Sequence, residues 1–125
     1  MFDAEEDMSE FAAILDPLRR DLDGVLNALG FRVELDRYHP EAFGSRTCEW
    51  RRGAEAIRVL WDGKERWLLV EYAANLLAEP MPPLQDILLV RQEGREGAQD
   101  LLRRATPQIL AAVQAFATRL GIRSS

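Results

Sequence analysis

Cysteine, histidine and lysine each occur once in the 125 residues of this chain, and these scarcities exclude several kinds of site. Cys48 has no second cysteine with which to form an intramolecular disulfide. Any metal site would depend on carboxylates, and none of them has the spacing of a metal-binding loop. No apolar run approaches the roughly 18 residues that a membrane-spanning helix requires. We therefore predict a cytoplasmic protein with no metal and no membrane partner.

Motifs for catalysis and for nucleotide binding are also missing. The chain contains no Gly-rich phosphate loop, no Gly-rich dinucleotide-binding turn and no Gly-x-Ser-x-Gly sequence. A nucleophilic Cys48 would need an activating histidine, whereas its place in a predicted strand favours a buried, structural thiol. These absences favour a non-enzymatic protein without a cofactor.

Negative charge is concentrated at the N-terminus. The net charge is −5, and the first ten residues account for it with Asp3, Glu5, Glu6, Asp7 and Glu10. The rest of the chain is neutral, so it has no surplus of basic residues for a nucleic-acid partner. We interpret residues 1–8 as a frayed acidic tip on a single α+β domain that comprises residues 1–125. An acidic start also differs from the basic start of a secretory signal.

Two amphipathic helices are predicted, one near each end of the chain. Apolar residues from Phe11 to Leu29 recur every three or four positions, and Gly30 is a suitable stop. Asp7 and Glu10 have the spacing of a capping box. Either Pro17 kinks this helix, or Asp16 caps a second helical segment that starts with Pro17 at its first position. At the other end, Thr106-Pro107 predicts a helix start, residues 98–105 are expected to form a separate turn or a short helix, and Gly121 closes the helix. The predicted stripe of that helix is Leu102, Ala105, Ile109, Val113, Phe116 and Leu120.

Four or five strands are predicted between these helices. Alternating apolar and charged residues indicate a strand over 31–36, which a loop over 38–45 follows. Tight turns at Gly53-Ala54 and around Gly63 separate strands at 46–52, 55–62 and 66–73. Ile87 to Val90 has the composition of a short, buried last strand. This order predicts an α+β fold with a mostly antiparallel sheet and both helices packed on one sheet face.

The turn lengths predict which side chains share a sheet face. A two-residue loop at Gly53-Ala54 sets Trp50 opposite Ile57 and Cys48 opposite Val59. With a two- or four-residue loop at Gly63, one face is the core, formed by Cys48, Trp50, Ile57, Val59, Trp61, Leu68, Val70 and Tyr72. The other face carries Thr47, Glu49, Arg51, Arg58, Leu60, Trp67, Leu69 and Glu71, with Glu49 and Arg58 as a cross-strand ion pair. A three-residue loop would reverse the two faces.

Leu60, Trp67 and Leu69 are a surplus of apolar surface on the second face. Exposed apolar patches on small domains mark partner surfaces, and Arg58 and Glu71 supply a polar rim. We therefore predict a partner-binding site at Arg58, Leu60, Trp67, Leu69 and Glu71. Two other outcomes fit the same pattern, namely a second core layer under a helix or the 74–84 segment, and a homodimer interface.

The segment after the first strand offers a different kind of site. Tyr38, His39 and Glu41 lie close together in sequence, and Glu41 is a potential orienting partner for His39 as a general base. A pocket between helix and sheet that these residues line would indicate a small enzyme or ligand-binding domain. This is the alternative to the protein-binding hypothesis.

Several segments together resemble a group of small bacterial α+β proteins of unknown function. The segments are Leu29-Gly30-Phe31-Arg32-Val33, Tyr38-His39-Pro40-Glu41-Ala42-Phe43-Gly44-Ser45, Ile57-Arg58-Val59-Leu60-Trp61-Asp62-Gly63 and Trp67-Leu68-Leu69-Val70-Glu71. The resemblance implies a bacterial cytoplasmic protein and no particular activity. Size and charge are also similar to those of toxin-immunity proteins, which implies a partner bound by surface complementarity. Type III secretion chaperones are a poorer comparison because they have a helix where this chain has only Asp62-Gly63-Lys64-Glu65.

Overall fold

The computed structural model describes residues 10–121, which form two helices and a five-stranded sheet. Helix α1 is Leu15–Ala28 and helix α2 is Ala98–Arg119. The strands between them are β1 (Arg32–His39), β2 (Ser45–Arg52), β3 (Glu55–Asp62), β4 (Trp67–Ala73) and β5 (Gln85–Arg91). Residues 10–13 are also helical, and a turn at Ile14 precedes α1. The predicted α+β class and element order are confirmed.

The sheet follows the order of the chain. The strand order is β1-β2-β3-β4-β5, and each neighbouring pair is antiparallel. Short connections between consecutive strands favour this meander because hairpins need no crossover. Strands β1 and β5 are therefore the two edges of the sheet.

The predicted register is confirmed on the three central strands. Arg52 pairs with Glu55 across the two-residue loop, and Gly53 adopts a φ of 58° that suits glycine there. Asp62 pairs with Trp67, so the next loop has four residues, 63–66. Trp50 consequently lies opposite Ile57, as predicted.

The core lies between the helices and the face that we call the inner face. All eight predicted core-face side chains are buried, and Trp50 and Trp61 are completely inaccessible. Helix α1 buries Leu15, Leu18, Leu22 and Leu26 against them, because these residues form one stripe at helical spacing. Helix α2 buries Ala98, Leu101, Ala105, Ile109, Val113, Phe116 and Ala117.

Several predicted element boundaries were wrong. Tyr38 and His39 belong to β1 rather than to a loop, since β1 pairs with β2 as far as His39 and Ser45. A bulge at Glu34 also puts Val33 and Leu35 on opposite faces, which simple alternation did not predict.

Helix α1 begins at Leu15, so Asp16 is not its cap. Pro17 fits within the first turn, where the N–H it lacks would have no helical partner. Asp7 and the acidic tip lie outside the described residues.

Helix α2 is continuous where the sequence predicted a start. Pro107 lies inside it, and the Thr106 hydroxyl donates to the Leu102 carbonyl at 2.7 Å instead of capping a new helix. One buried stripe runs through both halves of the helix, so tertiary packing outweighs the hydrogen bond that Pro107 cannot make. The stripe includes Leu101, which was missed, whereas Leu120 is exposed.

Strand β5 is longer and less buried than predicted. It extends from Gln85 to Arg91, and only Val90 is fully buried. As an edge strand it is covered on the inner face alone, which leaves Leu89 on the other face exposed.

The loop after β3 requires glycine at position 63, where there is no room for a side chain. A Cβ atom on Gly63 would lie 1.8 Å from the carbonyl oxygen of Phe43, which is backbone and has little freedom to move. The N–H of Gly63 also donates to the hydroxyl of Ser45 at 2.9 Å. This close approach ties the 40–44 turn to the 63–66 loop.

We expect Gly63→Ala to destabilise the fold by about 3 kcal/mol or more, since the clash must displace backbone. Gly24→Ala is the matched control, because nothing lies within 4 Å of its added Cβ in α1. We expect Gly24→Ala to stabilise the protein by about 0.5–1 kcal/mol. Urea unfolding of wild type and both variants measures these changes. A Gly63→Ala midpoint equal to that of wild type would contradict the close approach.

Candidate functional site

The five residues predicted to bind a partner lie together on the sheet face opposite the core, which we call the outer face. Arg58 pairs with Glu71, Leu60 with Leu69, and Asp62 with Trp67. Paired residues of an antiparallel sheet share a face, and Val59 and Val70 between them belong to the buried inner face. The structure therefore brings the five predicted residues together on one face of the sheet.

An apolar row crosses the middle of the outer face. Thr47, Leu60, Leu69 and Leu89 are cross-strand neighbours on β2 to β5. Leu60 and Leu69 are partly buried, whereas Leu89 is 41% exposed. Sequence reasoning missed Leu89 because the run Ile87 to Val90 is apolar throughout and does not show which side chains face outward. We call Leu60, Leu69 and Leu89 the leucine row.

An ion-pair network borders one side of the leucine row. Glu49 accepts hydrogen bonds from Arg58 at 2.7 Å and from Arg51 at 2.8 Å, and Arg58 also reaches Glu71 at 3.3 Å. The predicted Glu49–Arg58 pair is thus confirmed. The Glu49 side chain is only 1% exposed, although it lies on the outer face. Burial raises the pKa of Glu49, but the hydrogen bonds from both arginines outweigh this and hold it below its ordinary value.

Trp67 and Arg91 border the other side of the leucine row. The two residues pair across β4 and β5, and the Arg91 guanidinium lies 4.6 Å from the centre of the Trp67 ring. This stacking is a cation–π contact, and it leaves the rest of the exposed Arg91 side chain available to solvent. The outer face is thus apolar along its middle and polar along both sides.

The alternative site residues do not converge on a common cavity. His39 lies 3.3 Å from Glu41, but it pairs with Ser45. Tyr38 pairs with Arg46 and so lies on the opposite face of β1. Tyr38 lines a groove of about 410 Å³ whose other walls are Ala12, Ala13, Asp16, Asp36 and Arg46. Neither His39 nor Glu41 lines that groove.

A charged cluster in this groove links α1 to the sheet. Asp36 accepts hydrogen bonds from Arg46 at 2.7 and 2.8 Å and from Arg19 at 2.8 Å. Arg46 also pairs with Asp16 at 2.8 Å and donates to the Ala12 carbonyl. The hydrogen bonds from Arg46 lower the pKa of Asp36 to about 2. These contacts hold the helix against β1 and β2.

Cys48 lies beside the same cluster with its side chain fully buried. Burial, and the nearby negative charge of Asp36, raise the pKa of the thiol to about 12. A thiol with so high a pKa stays protonated at neutral pH and is a poor nucleophile. The buried, structural interpretation of Cys48 therefore fits its surroundings.

Other kinds of site find little support in the part of the chain that the structure describes. Residues 10–121 contain no group of three or more His, Cys, Asp or Glu side chains that could hold a metal ion. No helix in this range combines the length and the apolar character needed to cross a membrane. An open cleft of about 930 Å³ lies between the 63–66 loop and the start of α2, with Arg66, Gln92 and Arg95 in its walls.

Comparison with protein-family models, with curated proteins and with solved structures found no match to this chain. The resemblance to small bacterial α+β proteins therefore stays a prediction.

The Asp36 cluster makes a testable contribution to stability. A folded-state pKa of about 2, against an ordinary value of 3.8, means that this contribution is present above about pH 4. It is lost as the pH falls from 4 toward 2. After allowance for solvent screening, we expect Asp36→Asn to lower the free energy of unfolding by about 1–2 kcal/mol at pH 7.

Urea unfolding at pH 7, 5 and 3 checks this expectation. The difference between wild type and Asp36→Asn should shrink at the lowest pH. Asp100→Asn is the control, since Asp100 and its partner Arg103 are both well exposed and should contribute under about 0.5 kcal/mol. A difference for Asp36→Asn that does not vary with pH would contradict the assignment.

Proposed function

We propose that this protein is a non-enzymatic protein-binding module and that the outer face is its binding surface. One observation carries the proposal: the helices α1 and α2 pack on the inner face, so no described helix covers the leucine row. A one-sided antiparallel sheet normally exposes polar side chains to water. A row of leucines on that side is the pattern of an interaction surface.

The segment between β4 and β5 does not turn the leucine row into a second core layer. This segment is attached at the loop between β2 and β3, away from the leucine row, where the N–H of Leu76 donates to the Ala54 carbonyl at 2.8 Å. Its Leu77 and Met81 side chains are exposed rather than packed on the row. Among residues 10–121, this was the remaining candidate for such a cover.

The composition of the outer face also supports binding. Tryptophan and arginine are the side chains most often found as energetic anchors in interfaces, and Trp67, Arg58 and Arg91 surround the leucine row. The stacked and ion-paired arginines are held in place before a partner arrives, which reduces the entropy lost on binding.

An immunity-like or regulatory role in the bacterial cytoplasm is the biological part of this proposal. It rests on the resemblance of the sequence segments to small bacterial proteins and on the acidic N-terminal residues. Both types of role work by surface complementarity to another protein and need no catalytic group.

Site-specific photo-crosslinking in the cells that produce the protein tests the binding surface. A photoreactive residue in place of Leu89, which is 41% exposed, should yield a discrete crosslinked product. The matched control is the same residue in place of Leu120, which is 44% exposed at the end of α2. We expect no discrete product from position 120.

Adding Leu69→Arg should abolish the product from position 89, because a charge in the leucine row disfavours a dry interface. Urea unfolding must show that Leu69→Arg is still folded. Equal products from positions 89 and 120, or none from position 89, would refute binding at the outer face.

A further inference from the structure

Charged side chains of opposite sign flank the leucine row on the outer face. Each of β3, β4 and β5 places a leucine in the row and one side chain on either side of it. On β3 the flanking residues are Arg58 and Asp62, and on β5 they are Asp86 and Arg91. On β4 they are Glu71 and Trp67, with the Arg91 guanidinium stacked on the indole. Two of the three strands thus have opposite charges on the two sides of the row.

This pattern is complementary to itself under a two-fold rotation about an axis along the leucine row. Such a rotation exchanges the two sides of the row, so each leucine meets its own copy. It places Asp86 of one copy opposite Arg91 of the other, and Arg58 opposite Asp62. Glu71 of one copy meets the Trp67–Arg91 stack of the other. On β3 to β5, therefore, apolar groups meet apolar groups and the flanking acids meet arginines.

Two-fold axes parallel to the strands bring less favourable contacts. The axis through β4 sets Arg58 against Asp86 and Asp62 against Arg91, but it also sets the acidic Glu71 against its own copy. A two-fold axis parallel to the strands, passing through β3, would set Leu35 against Asp86 and Arg37 against Leu89. Both contacts bury a charge against an apolar side chain without compensation. The axis along the leucine row has one unfavourable contact, Arg37 on its own copy at the β1 edge, so we place the contact on β2 to β5.

The size of this surface is sufficient for specific association. Four strands about 4.8 Å apart and roughly eight residues long, at about 3.3 Å per residue, cover an area of roughly 500 Å². Two copies would bury about 1,000 Å² in total, which is near the lower limit for specific interfaces. Aligned packing of two sheets is a common arrangement in proteins.

We propose that the partner of the outer face is a second copy of this chain, in a face-to-face dimer with its two-fold axis along the leucine row. This inference rests on the proposed function, since it names the occupant of the same surface. Asp86 and Arg91 are its most informative residues, because neither forms an ion pair within residues 10–121. In the dimer they form two equivalent intermolecular pairs.

Charge reversal at these two positions tests the arrangement. Sedimentation equilibrium of the full chain over about 10–200 µM covers the range expected for a small interface, and wild type should approach twice the monomer mass. Asp86→Arg places two arginines opposite each other at both symmetric contacts, and Arg91→Asp places two aspartates there. Each single variant should raise the dissociation constant at least about tenfold.

An equimolar mixture of the two single variants should restore a dimer, because each contact in the mixed pair again joins Arg to Asp. The double variant Asp86→Arg/Arg91→Asp should restore it as well. The controls are Asp100→Arg and Arg103→Asp, an exposed acid–base pair on α2, and neither should change the mass. Urea unfolding of each variant separates loss of association from loss of folding.

A wild type that stays monomeric at 200 µM would overturn this inference. So would single variants that associate as well as wild type, or a mixture of folded variants that stays monomeric. These failures differ from failure of the proposed function. If only the dimer is wrong, crosslinking from position 89 still traps a different protein. If the proposed function is wrong, position 89 yields no crosslinked product at all.

Discussion

The two-residue loop at Gly53-Ala54 determines how the side chains of this sheet are sorted. By pairing Arg52 with Glu55, it places Trp50 opposite Ile57 and sends both to the inner face. Side chains alternate along a strand, so one residue more in this loop would move the whole apolar set of β3 to the other face. The four-residue loop over 63–66 likewise keeps the apolar residues Leu68, Val70 and Tyr72 of β4 on the inner face. The core and the leucine row both depend on this choice.

A consequence of this sorting is that the sheet has two apolar surfaces of different size. The inner one is large enough to hold both helices, and it buries two tryptophans completely. The outer one is a single row between charged neighbours, and neither α1 nor α2 packs on it. Glu49 is buried on this face because Arg51 and Arg58 lie over it, which keeps the sides of the row polar.

Both edges of the sheet carry features that limit unwanted strand pairing. Strand β1 has a bulge at Glu34 and several charged side chains, and such features discourage the addition of another strand. Strand β5 has fewer charges, but a bulge at Ile87 interrupts its pairing with β4. Association through the outer face is therefore more consistent with this architecture than association through an edge.

Local pattern alone determined the element order, the central register and the membership of the inner face, because turn chemistry and alternation act over a few residues. It also placed Arg58, Leu60, Trp67, Leu69 and Glu71 on one face. The tertiary structure decided what depends on distant contacts. Pro107 stays inside α2 because one stripe packs on both sides of it. Leu89 faces outward because it pairs with Leu69, while Leu88 and Val90 on either side pair with residues of the inner face. The pairing of Asp36 with Arg46 and Arg19 likewise joins three elements, so no local pattern could reveal it.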